Sequence, residues 1–179
     1  MKKTGFLICI ILIIILNSCS NKIFFSNGLK SRLAQNNLNI NKVQFYNSKK
    51  IILRREIPQD YAEVSNGEII FEKGKFVEQV IIKKYTPGTC EFIDQDILNI
   101  SFEEGYNKVL RFRLDPTGNY YSLLTHKGLN RKGYLRYDTI QYIVQSGGEY
   151  AKLLVRKNQE YIYKATHRVV EGKIVDDNK

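Results

Sequence analysis

The chain has no tryptophan, one methionine, three prolines, three cysteines and two histidines in 179 residues, and the scarcity of proline, cysteine and histidine narrows the classes of protein it can be. His126 and His167 stand forty-one positions apart, and no His-x-His, His-x-x-x-His or Cys-x-x-Cys occurs, so no metal site can be read from ligand spacing. Three prolines and the lack of any low-complexity tract exclude a proline-rich or disordered composition. No glycine-rich phosphate loop is present; Gly147-Gly148 reads as a turn. The longest apolar run, Phe6 to Leu16, has eleven residues, whereas a helix crossing a bilayer needs about 20. Acids are scarce too: 18 Asp and Glu face 28 Lys and Arg, for a net charge of +10. Such a surplus favours contact with something anionic.

What is present starts at the N-terminus. Met1-Lys2-Lys3 precede the apolar run, which stops at Leu16-Asn17-Ser18-Cys19. A basic start before a short apolar stretch reads as a secretory signal, so residues 1–18 are set apart from the fold. Leu16-Asn17-Ser18-Cys19 resembles the lipobox of bacterial lipoproteins processed by signal peptidase II, with an aliphatic residue at −3, a small one at −1 and then cysteine. Asn17 departs from the small or aliphatic residue usual at −2. The resemblance covers about twenty residues and implies that Cys19 becomes an acylated N-terminus. Several acyl chains on one cysteine anchor durably, because each buried CH₂ contributes ~0.8 kcal/mol. Ser20 rather than Asp follows Cys19. In a host with two membranes that similarity implies sorting to the outer membrane with the domain facing the periplasm, and in a host with one it implies the exterior of the cell membrane.

Removing residues 1–18 leaves 161, enough for one domain with a core of its own. Cys9 leaves with the signal and Cys19 is expected to be acylated, so Cys90 is the only thiol left and no internal disulfide is expected. Residues 19–28 read as the lipidated cysteine and a short tether. The eight residues Ser20 to Asn27 reach at most ~27 Å when extended, which keeps the domain near the bilayer, with Phe24 and Phe25 able to rest on its interface. Leu29, Leu33 and Asn37 recur at helical spacing behind a cap at Ser26 or Asn27, which predicts one short helix.

From residue 29 to 175 the chain reads as one β-rich domain, followed by a polar tail at 176–179. Leu98, Ile100 and Phe102 alternate with Asn99, Ser101 and Glu103, and Leu110, Phe112 and Leu114 with Arg111, Arg113 and Asp115. This is period two with one buried face. Residues 104–107 and Asp115-Pro116-Thr117-Gly118 supply turns, and Tyr120 to Thr125 returns as a third strand. Further strands are expected at 43–46, 51–55, 69–71, 76–85, 134–144, 151–156 and 161–167, while Thr86-Pro87-Gly88-Thr89 is expected to interrupt the ladder. The expected fold is all-β: a small antiparallel barrel or roll of roughly ten short strands with one short N-terminal helix. A two-sheet sandwich is the alternative.

Catalytic parts are sparse. Cys90 with His126 or His167 contains the groups of a thiol nucleophile and base, but the adjacent Glu91 would raise rather than lower the thiol pKa. Glu103-Glu104 and Asp94-Gln95-Asp96 are the carboxylate clusters, and they fall at strand ends where acids are commonly solvated. No catalytic residue, metal or cofactor is assigned. Basic charge is concentrated between Arg111 and Arg168, with eleven Lys and Arg against four acids. There tyrosines and cations interleave, which points to a binding surface of Tyr120, Tyr121, Lys127, Arg131, Lys132, Tyr134, Arg136, Tyr137, Tyr163 and Lys164. The partners expected are the membrane, through Cys19, and an envelope protein or an anionic envelope glycan or lipid. Nucleic acid is not expected of an exported, anchored domain. The sequence thus favours a non-catalytic envelope lipoprotein that binds another envelope component, as a subunit of a secretion or surface-assembly machine. A glycan- or lipid-binding barrel and a peptidoglycan-active enzyme are the alternatives.

Overall fold

The structure, a computed structural model, describes residues 21–58, 68–72, 74–128 and 133–157. Its elements in chain order are β1 (Lys22–Phe24), α1 (Asn27–Gln35), β2 (Phe45–Asn47), β3 (Ile51–Ile57), β4 (Glu68–Glu72), β5 (Lys75–Ile82), β6 (Pro87–Asp94), β7 (Ile97–Ser101), β8 (Val109–Leu114), β9 (Tyr121–Leu123), β10 (His126–Lys127), β11 (Gly133–Tyr137), β12 (Ile140–Val144) and β13 (Leu153–Arg156). The strands form two antiparallel sheets, one in the order β1-β13-β2-β6-β7-β8-β9 and the other β10-β11-β12-β3-β5-β4. The all-β expectation with one N-terminal helix holds. Of its two arrangements the chain takes the two-sheet one and not a closed barrel. The first sheet curls until its β9 edge meets the start of β13 at a single bridge, Ser122 to Lys152, supported by Leu123 N–H donating to the Ala151 carbonyl at 2.9 Å.

Side-chain parity explains the arrangement. In β8, Leu110 and Phe112 are buried while Arg111 and Arg113 are exposed, as the alternation requires. One apolar cluster joins the sheets: Phe45, Leu98, Ile100, Leu110, Phe112, Tyr121 and Leu153 from the first meet Ile51, Leu53, Leu135, Tyr137 and Val144 from the second. The helix begins where Ser26 Oγ accepts from Leu29 N–H at 3.3 Å, and its Leu29 and Leu33 pack against the same cluster. Deeper in the second sheet Arg55 and Glu78, opposite each other on β3 and β5, form an ion pair beneath the Tyr142 ring of β12.

Three local expectations are corrected. The segment assigned to a tether contains β1, because Ile23 packs against the core and Phe25 is 1% exposed, so the chain is part of the fold from Lys22 onward. Thr86 to Thr89 does not break the ladder: Pro87 opens β6, where a missing N–H is tolerated, and Gly88 lies in the strand. A Cβ at Gly88 would meet the Ser101 carbonyl oxygen at 2.7 Å and the Phe102 ring at 2.8 Å, so only glycine fits. Finally, 134–144 is a hairpin and not one strand. Asp138 and Thr139 turn the chain with φ of 48° and 65°, the left-handed pair of a tight hairpin. Left-handed backbone costs a β-branched residue ~1–2 kcal/mol. Thr139→Gly is therefore expected to raise stability by about 1 kcal/mol in urea unfolding, and an unchanged or lower midpoint would contradict that reading of the turn. The last expected strand, 161–167, lies outside the described residues.

Candidate binding cleft

The chain leaves the first sheet at β9 and enters the second at β10, and where the two adjoin it leaves a cleft of about 300 Å³. Arg111 of β8, Leu124 of the linker, His126 of β10, Tyr134, Leu135 and Arg136 of β11 and Gln141 of β12 line it. Pairing explains why four of these converge. Tyr134 and Arg136 are two apart on β11 and share a face; His126 stands opposite Tyr134, and Gln141 opposite Arg136. Arg111 comes from the other sheet, where alternation turns it away from the core. Leu124 N–H donates to the Arg111 carbonyl at 2.7 Å, which fixes the linker beside β8.

The cleft is cationic. Arg111 makes one exposed ion pair, with Asp94 at 3.5 Å, and a pair of that kind contributes ~0–1 kcal/mol. Arg136 is exposed and has no ion-pair partner among the described residues. Two guanidinium groups present planar donor forks that match a carboxylate or a phosphate, the Tyr134 ring adds a flat apolar wall, and Gln141 can donate or accept. Gly128 makes room for the ring: a Cβ there would fall 2.2 Å from Tyr134 Cε2.

Of the residues expected to form a binding surface, Tyr134 and Arg136 line the cleft, and exposed Lys127 sits next to His126 without lining it. Tyr120 is half-buried elsewhere, with Lys152 Nζ 3.2 Å from its ring centroid. Tyr121 and Tyr137 do not belong to a surface and are corrected to core residues, 0% and 3% exposed. Tyr121 packs against Phe25 at 5.5 Å between ring centroids, and the Tyr137 hydroxyl donates to Glu103 at 2.6 Å. Cys19, Arg131, Lys132, Tyr163 and Lys164 lie outside the described residues. Arg111, Leu124 and Gln141 were missed. Arg111 was visible as the outward partner of Phe112, yet only the meeting of the sheets brings it to β11.

The candidate catalytic groups are placed differently. Cys90 is buried, its thiol directed at the Phe92 carbonyl 3.6 Å away, and burial followed by the charge of Glu91 pushes its pKa up to about 11. Glu103 is engaged by Tyr137 and by Lys108 at 3.4 Å, and Asp94 by Arg111. Among the described residues no group of three His, Cys, Asp or Glu could hold a metal ion, and no helix is long and apolar enough to cross a membrane.

Burial also pushes Tyr121 and Tyr142 up from 10 to about 12, and Tyr137 further still, each with nearby acid charge reinforcing the shift. The unfolded chain releases these protons from about pH 10 while the folded chain keeps them, so their contribution to stability is complete below pH 10 and is lost as pH rises towards 12. Absorbance at 295 nm is expected to show these tyrosines silent until a cooperative alkaline transition. Smooth titration of every tyrosine near pH 10 would contradict their burial.

Comparison with protein-family models, with curated proteins and with solved structures finds no match for this chain.

Proposed function

We propose that this is a lipid-anchored bacterial envelope protein, held by acylated Cys19 at the outer membrane and facing the periplasm, whose β domain is a non-catalytic binding module for an acidic envelope component. The cleft carries the proposal: Arg111 and Arg136 converge from two sheets on one exposed recess with Tyr134 and Gln141. Peptidoglycan carboxylates, phosphorylated glycolipids and acidic protein faces are the anions of that compartment, and the cleft is the size of one such group rather than of a long chain. Side chains such as Phe25, Phe45, Leu98, Phe112 and Tyr121 fill the interior, which supports a recess on the outside over a barrel holding a glycan or lipid within. The buried, protonated thiol of Cys90 supports binding over thiol chemistry.

The test is affinity capture of the lipidated protein from crosslinked, detergent-solubilised envelopes, set against Cys19→Ala. One acidic protein recovered in comparable amount, and lost with the anchor, identifies a subunit of an envelope assembly. A glycan or lipid recovered in its place identifies the other ligand class. Recovery of neither sinks the binding reading.

A further inference from the structure

A second surface, distinct from the cleft, lies at the N-terminal edge of the first sheet. In β1, Ile23 packs against the core while Lys22 and Phe24 take the opposite face. Lys22 is paired with Arg156, and Phe24 with Leu154, whose other neighbour is Tyr46. Cations and rings interlock across this face. Lys22 Nζ lies 4.8 Å from the Tyr46 ring centroid and 4.7 Å from that of Tyr85, and Arg156 Cζ lies 5.8 Å from Tyr46. Lys84 Nζ is 4.6 Å from Tyr85, and Lys152 reaches Phe24 at 5.2 Å as well as Tyr120. None of these cations has an ion-pair partner among the described residues. The nearest acid in the chain to Tyr120, Asp115, has its carboxylate turned into its own loop, where Thr117, Asn119 and Tyr120 donate to it. Between Lys22, Phe24, Ser48, Lys84, Tyr85 and Lys157 the surface dips into a hollow of about 510 Å³. Phe24 stands at its rim, 49% exposed.

We infer that this face docks on anionic phospholipid headgroups, with Lys22, Lys84, Lys152, Arg156 and Lys157 on the phosphates and Phe24 in the interfacial layer. The inference rests on the proposed acylation of Cys19 for its geometry. Lys22 follows Cys19 by three residues, a span of at most ~11 Å, so the acyl chains and this face meet the same leaflet. Charge complementarity supplies the rest: cations gathered on one face without an ion-pair partner among the described residues suit a negative surface, and an aromatic ring with cations around it suits the boundary between headgroup and acyl chain. The face also explains why β1 is built into the sheet. A flexible tether would let the domain tumble, whereas a strand paired to β13 holds one orientation, with the cleft of β8, β10 and β11 on a separate part of the surface.

The absence of tryptophan gives a clean test. Phe24→Trp introduces the only indole in the chain. The protein is purified from membranes, its acylation is read by mass, and it is reconstituted in vesicles of phosphatidylcholine alone or with one third phosphatidylglycerol, each containing brominated lipid. Docking predicts blue-shifted emission and strong quenching in the anionic vesicles. The quenching should fall by roughly half or more in the added Lys22→Gln, Lys84→Gln, Lys152→Gln background or at high salt. An indole left unquenched in anionic vesicles, on protein that carries acyl chains and floats with them, overturns the docking and leaves the anchor standing. Protein without acyl mass overturns the anchor alone. Excess anionic vesicles then decide the docking, which quenching supports and its lack refutes.

Discussion

Reversing both cleft arginines, Arg111→Glu with Arg136→Glu, is expected to lower capture of the proposed acidic envelope component about 100-fold or more, with the fold unchanged. Each guanidinium donates charge-assisted hydrogen bonds worth about 1.5–3 kcal/mol when the acceptor is ionised, and reversal adds repulsion to their loss. Both side chains are exposed and lie on the solvent-facing parity of their strands, so the core under them is untouched and the urea midpoint should stay within the small range typical of surface changes. The measurement is the amount of partner recovered per bait from crosslinked envelopes, with Lys42→Glu plus Lys50→Glu as the control of equal charge change. Lys42 and Lys50 are exposed and not part of the cleft, so their joint reversal tests whether net charge alone accounts for binding. Equal losses in the double variant and the control would move the interaction away from the cleft.

Phe25→Ala is expected to cost about 3–5 kcal/mol of stability, the range for emptying a large aromatic site in a core. Phe25 is 1% exposed and its ring packs edge-on against Phe45 at 5.0 Å and beside Tyr121 at 5.5 Å. Against a total of about 5–15 kcal/mol for an ordinary domain, that loss leaves little margin. Its neighbour Phe24 offers the contrast: half-exposed, it should lose under about 1 kcal/mol on the same change. Equilibrium urea unfolding of the two variants decides whether the chain joins the core at β1 or only beyond residue 28. Equal, small effects would restore the tether.

Much of this fold could be read from local pattern. The outward arginines of β8, the cap at Ser26 and the turn at Asp115 each follow from residues within a few positions of one another. Features that depend on a distant partner were not legible. Lys-Ile-Phe at 22–24 is too short to declare itself a strand, and becomes one because β13 lies beside it. The turn at Asp138-Thr139 carries none of the glycine or asparagine that marks a left-handed pair, so 134–144 reads as continuous in sequence.

The same division applies to the cleft. Interleaved tyrosines and cations drew attention to residues 134–137, but the pattern ignored parity. Tyr134 and Arg136 share one face of β11, while Tyr137 falls with Leu135 on the core side. Parity alone separates the two sets. It does not supply Arg111 or Gln141, since one needs the meeting of two sheets and the other the register of a turn that local pattern does not mark.

The proposed envelope ligand binds in the cleft and not on the surface at large. A photocrosslinking amino acid placed at Gln141, on the cleft wall, and separately at Tyr106, 89% exposed, tests it in intact envelopes. A ligand held in the cleft gives one dominant adduct from position 141, absent from position 106 and lost with the arginine reversals. No adduct from position 141, or the same adducts from both positions, would contradict it.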